Sequence, residues 1–258
     1  MGGVTRVLPP ADYPGCPVTV LEEVAAGREL RTPRWGLWDV FWAAIAAILI
    51  GVGVGGALFF LDAPLAMQIL VGTTAPWLAL AGWPLLATAR RGNGPRIDLG
   101  LRLTWADTGW GALAGFAGLM AAGIAALITQ YFVPDLSSAA GDVAAELEQG
   151  SDRLSLTVFA ALVMVGAPIV EELFFRGFLF AALRKRGVSG PLTIVITAVV
   201  FAGFHFEPLR FFVLLPTGIL LGVVRWKTGS TGSAMVAHGV VNAPGAIVLL
   251  VGLPDVTP

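Results

Sequence analysis

Successive apolar runs, each near the twenty residues a helix needs to cross a bilayer, constrain this chain more than any other feature. Trp35 to Leu61, Leu65 to Ala89, Trp110 to Phe132, Leu154 to Leu183, Pro191 to Phe206, Leu209 to Trp226 and Thr231 to Leu253 read as seven spanning segments. They are continuous, unlike the alternating strands of a transmembrane barrel. The expected fold is therefore all-α, a polytopic membrane helical bundle of about seven to eight transmembrane helices, the eighth being a half-inserted segment around Leu99. A composition of 56% hydrophobic and 13% charged residues leaves no soluble domain to find.

The chain divides into a tail, residues 1–34, and an integral membrane domain, residues 35–253. The tail holds Pro9, Pro10, Pro14, Pro17 and Pro33, which predicts flexibility with a short helix around Val20 to Ala26. Its Glu22-Glu23 pair reads as solvated, and its lone Cys16 has no partner for an intrachain disulfide. Trp35, Trp38 and Trp42 are placed as interfacial anchors, and Gly111 and Gly115 have the spacing that allows close helix approach. Basic residues fall at segment ends. Seven crossings from a cytoplasmic N-terminus put Arg90, Arg91, Arg96, Arg184 to Arg186, Arg225 and Lys227 inside, with the acidic Pro134 to Asp152 loop and Pro254 to Pro258 outside. No basic stripe is present, and nucleic acid is not indicated as a partner.

The fourth run carries three charges, Glu171, Glu172 and Arg176, where burial in hydrocarbon costs about 2.5 to 3.5 kcal/mol each even on lenient scales. Residues four apart share a helical face, so Glu172 and Arg176 can pair and Glu171 is left for chemistry. A cluster that only locks helix packing is the plainer reading. Against it stand the chain's only two histidines, both in apolar runs and each four residues from another notable side chain: Phe201 with His205, and His238 with Asn242. Counted from the helix ends, Glu171 and His205 each lie about 20 Å deep, and His238 only about 10 Å from Thr231, so either its helix starts deeper or the count fails there.

These groups suit hydrolysis: Glu171 takes a proton from a water that His205 holds, and His238 with Asn242 donates to the oxyanion. No serine or cysteine stands in a nucleophile setting. A zinc reading competes, with Glu171, His205 and His238 as ligands, but it lacks an H-E-x-x-H helix and leaves Asn242 idle. The metal-free version is preferred because Asn and His suit oxyanion donation, so no cofactor is favoured and zinc stands as the alternative.

Glu171-Glu172-Leu-Phe-Phe-Arg176, Phe201-Ala-Gly-Phe-His205 and His238-Gly-Val-Val-Asn242, in that order on successive apolar segments, resemble the EExxxR, FxxxH and HxxxN motifs of the CPBP family, the CAAX prenyl endopeptidases and bacteriocin-processing proteases also called Abi. The resemblance covers about residues 154–248, and the motif-bearing core is set at 154–253. It implies an intramembrane endopeptidase using a glutamate-activated water, with Glu171, His205, His238 and Asn242 catalytic and Glu172, Arg176 and Phe201 supporting. It also implies a peptide or lipid-modified protein substrate and residence in a bacterial cytoplasmic membrane. A non-enzymatic immunity factor, scaffold or proton-coupled transporter is the alternative. Oligomeric state stays open.

Overall fold

The structure, a computed structural model, describes residues 17–134, 136–149 and 153–251; Cys16 and the Pro254 to Pro258 terminus lie outside them. Ten helices follow in order: α1 (Pro17–Ala25), α2 (Leu37–Phe60), α3 (Leu65–Arg91), α4 (Pro95–Asp98), α5 (Trp105–Phe132), α6 (Ala139–Gln149), α7 (Arg153–Lys185), α8 (Gly190–Phe204), α9 (Phe211–Thr228) and α10 (Thr231–Val251). No strand occurs among the described residues. The chain is an all-helical polytopic bundle.

Six of these helices, α2, α3, α5, α7, α9 and α10, are long and apolar enough to cross a membrane. The expected fifth span is α8, whose 15 residues rise only about 22 Å, short of a hydrocarbon core of about 30 Å. The segment around Leu99 is not an eighth helix. It is coil between α4 and α5, and Leu99 itself is fully buried, packed where a Cβ on Gly177 would come within 3.3 Å of it.

The small-residue faces pack within the chain. A Cβ on Gly111 or Gly115 of α5 would come within 2.6 Å of Ser233 O or Val240 Cβ of α10, and one on Gly218 of α9 within 3.1 Å of Ala198 of α8. Such approach lets helix backbones nearly touch, which is how helices gain dispersion energy where lipid offers no hydrophobic contrast. The main core surrounds the second half of α7, where Leu173 to Leu183 are all buried against Trp35, Val40, Ala43 and Phe201 from other helices.

Trp35 is one correction to the sequence reading. It is buried, with its ring against Phe178 and its indole N–H donating to Asp98 Oδ2 at 2.7 Å, and is no interfacial anchor. Trp38 and Trp42 are exposed as expected. Residues 17–34 are held to the 91–98 loop. Val20 packs on Ile97, Arg31 N donates to Asn93 Oδ1 at 2.8 Å, and Arg96 pairs with both Glu22 and Glu23. That glutamate pair is thus salt-bridged, Glu22 at a half-exposed site. Lys185, at the end of α7, donates to the carbonyls of Pro33 and Trp35, so the start of α2 and the end of α7 are fastened together.

Candidate active site

The motif helix α7 is not a uniform α-helix. It widens into π-helical turns at Leu162–Gly166 and again at Leu173–Leu179, bracketing Glu171 and Glu172. The first widening has a local cause. Pro168 has no N–H to donate and its ring crowds the carbonyl four residues back, and Gly166 leaves room for the Trp77 ring, which a Cβ would meet at 2.7 Å. Wide turns free backbone carbonyls, and side chains from other helices take them up. Asn242 Nδ2 donates to Val163 O at 2.9 Å, and the buried Arg225 donates through Nε to Arg176 O at 2.9 Å.

Glu172 and Arg176 form the expected pair, both fully buried, with Arg176 donating to Glu172 Oε1 at 2.9 Å. Arg176 also donates to Gly218 O at 2.9 Å and lies 4.5 Å above the Phe201 ring. Glu172 Oε1 has a second partner that spacing does not disclose, His238 Nδ1 at 2.9 Å. Phe201 sits under all of this, edge-on to His205 at 4.8 Å and to His238 at 5.6 Å between ring centroids.

The helix that carries His238, α10, begins on a buried turn, which leaves the count of about 10 Å from Thr231 to His238 as it stands. Thr231 N donates to Gly100 O at 2.9 Å and Thr231 Oγ1 to Leu99 O at 2.5 Å, and Thr231 to Ser233 are all buried. The helix therefore starts inside the protein, on the buried 99–100 turn. Gly100 takes φ +65°, and a Cβ there would collide with Arg225 and with Gly229 O at 2.8 Å.

His205 ends α8, the chain turning at once through Phe206 at φ +55°. Its Nδ1 lies 2.8 Å from Phe201 O. A carbonyl oxygen only accepts, so Nδ1 carries the proton and Nε2 of the neutral ring is an acceptor. In His238, Nδ1 likewise donates to the Glu172 carboxylate. Both Nε2 atoms face the same oxygen, Glu171 Oε2, at 4.0 Å from His205 and 3.9 Å from His238. That oxygen is buried and makes no hydrogen bond among the described residues, although the Glu171 side chain as a whole is partly exposed.

Six of the seven residues singled out from the sequence, Glu171, Glu172, Arg176, Phe201, His205 and His238, are linked by these contacts, while Asn242 binds Val163 O on the earlier part of α7. Arg225 and the 99–100 turn were not signalled by any motif. No group of three His, Cys, Asp or Glu side chains among the described residues is placed to hold a metal ion. Tetrahedral zinc with bonds of about 2.0 Å needs ligand atoms about 3.3 Å apart, closer than the separations at Glu171 Oε2, so the set as it stands does not fit zinc.

Residues 153–244 match the family model described as "Type II CAAX prenyl endopeptidase Rce1-like". This stretch is a CAAX-protease-family domain. The match takes in all three motifs and ends two residues past Asn242, while α1 to α6 lie before it. No curated protein and no solved structure is matched by the chain at a significant level. The CAAX-protease-family domain, set in six helices that can cross a membrane, implies a multi-pass intramembrane protease.

Proposed function

We propose that Glu171 is the general base of a metal-free endopeptidase. The observation that carries this reading is the convergence of both histidine Nε2 atoms on Glu171 Oε2, a buried oxygen without a hydrogen bond among the described residues, with each ring held through Nδ1. A gap of about 4 Å between acceptors is bridged by a water, which offers two protons to three acceptors. One more proton is needed, and on His238 it turns Nε2 into a donor backed by the Glu172 carboxylate.

The water oxygen attacks the scissile carbonyl carbon as Glu171 accepts its proton. The C=O pair moves to oxygen, where His238 Nε2–H and the second N–H of Asn242 meet it. Collapse then breaks the C–N bond while Glu171 returns the proton to the leaving amine. His205 orients the water, and Phe201 and the Glu172–Arg176 pair hold the two rings in place.

A substrate bearing a lipid chain is supported by an apolar cavity of about 580 Å³ beside the site, lined by Met164, Pro168, Ile169, Met235, Gly239 and Val240. Residues 17–34 and 91–98 and the basic ends of α3 and α7 meet at one end of the bundle, which favours a cytoplasmic N-terminus by the charge rule.

Cleavage of a prenylated CAAX peptide by the detergent-purified chain tests the reading. Glu171→Gln should reduce turnover at least about a hundred-fold, as loss of a general base does, and a chelator should leave wild type active. Full activity in Glu171→Gln, or chelator-sensitive activity tracking one bound zinc, would overturn the assignment.

A further inference from the structure

A second cavity, about 700 Å³, lies away from Glu171 between α5 and α9. Its walls are graded. Leu113, Ala114 and Ala117 of α5 face Leu220 and Val223 of α9 along its length, and every polar lining residue, Arg102, Asp107, Lys227 and Thr228, sits at one end. From Asp107 to Ala117 the cleft runs about 15 Å along α5, the depth of one bilayer leaflet. Alanines on α5 form the hollow.

The polar end carries two cations and one carboxylate, and the carboxylate also caps α5. Asp107 Oδ2 accepts from Thr104 N at 2.9 Å and Thr104 Oγ1 at 2.7 Å as part of the cap of α5, and Ser233 Oγ reaches Oδ1 at 3.4 Å. Arg102 Nε forms an ion pair with Asp107 Oδ2 at 3.6 Å, longer than a hydrogen bond, so the one carboxylate offsets one of the two cations. Lys227 is exposed, its ammonium 5.3 Å from the Trp226 ring centroid. The mouth is net positive.

We propose that this cleft binds one anionic phospholipid from the surrounding leaflet, with an acyl chain along Ala114, Ala117 and Leu220 and the headgroup phosphate between Arg102 and Lys227. Basic pockets between transmembrane helices recognise lipid headgroups in this way. None of its residues touches Glu171, His205 or His238, and Arg102 is the one lining residue it shares with the apolar cavity assigned to the substrate, so Lys227 and Ala117 are the positions that test this cleft alone. Its headgroup end is tied to the catalytic helix, because Asp107 bonds Ser233, five residues before His238 on α10.

Native mass spectrometry of the full chain, delipidated in detergent and titrated with phosphatidylglycerol or phosphatidylcholine, tests this. Wild type should bind one phosphatidylglycerol per chain at concentrations where phosphatidylcholine does not bind. Lys227→Ala should weaken phosphatidylglycerol roughly five-fold, the scale for one basic residue at an anionic membrane surface. Ala117→Phe, at an exposed position that leaves helix packing intact, should block the acyl path and abolish binding. Equal binding of both lipids by wild type, or unchanged phosphatidylglycerol binding in either variant, would overturn the proposal.

Discussion

Replacing Arg176 by methionine removes one charge from a fully buried pair and leaves the other in place. Three contacts go at once: the 2.9 Å bond to Glu172 Oε1, the 2.9 Å bond to Gly218 O and the 4.5 Å stack on Phe201. Stranding the Glu172 carboxylate costs about 3 to 5 kcal/mol, and Glu172→Gln, which strands Arg176, should cost about the same. The double variant behaves differently. With both charges gone, the glutamine oxygen still accepts from His238, and the main loss is the unpaired Gly218 carbonyl, about 1 to 3 kcal/mol. A coupling of at least about 3 kcal/mol should therefore separate the double variant from the sum of the singles. Unfolding of purified protein by added SDS, followed by tryptophan fluorescence, would measure all four corners of the cycle. Additive losses, or single variants as stable as wild type, would refute the buried pair as the thing that fixes the second half of α7.

Further outcomes follow from single contacts. Gly115→Ala pushes a methyl to within 2.6 Å of Val240 Cβ and 2.7 Å of Ala237 O; overpacking should cost about 1 to 3 kcal/mol and lower activity by displacing α10, read as a lower SDS midpoint together with slower cleavage. Asn242→Leu, which keeps the volume but frees Val163 O, should destabilise by about 1 to 3 kcal/mol in the same assay in addition to any effect on turnover. Stability equal to wild type would leave the Asn242–Val163 bond without weight. Trp35→Phe keeps the stack on Phe178 and loses the bond to Asp98, so its cost should be about 1 to 3 kcal/mol with activity per folded molecule unchanged.

The spans were legible because uninterrupted apolar stretches admit few alternatives in lipid, and the i,i+4 pairing of Glu172 with Arg176 survived even across a π-helical turn. The three motifs also pointed to residues that the fold brings near one another, Glu171 and Glu172 with His205 and His238, since charged and imidazole groups in such stretches have little reason to be there otherwise. Three things escaped the sequence, all for one reason. The Glu172–His238 bond, the use of Asn242 and Arg225 on freed carbonyls, and the inward start of α10 depend on where two helices touch, which neither period nor composition encodes. The contacts of residues 17–34 escaped for the same reason. Proline content describes residues 17–34 well in isolation but says nothing of Asn93 and Arg96, which bind them.

The fastening at the end of α7 bears on what can be cut away. Residues 153–244 carry every motif, yet Lys185 is capped by carbonyls that come before α2, Phe178 rests on Trp35, and α10 lies in a trough made by glycines of α5. Severed from the first six helices, the motif-bearing segment would keep its chemistry on paper and lose the walls that aim it. The smallest unit able to work is therefore much larger than the smallest unit that can be recognised.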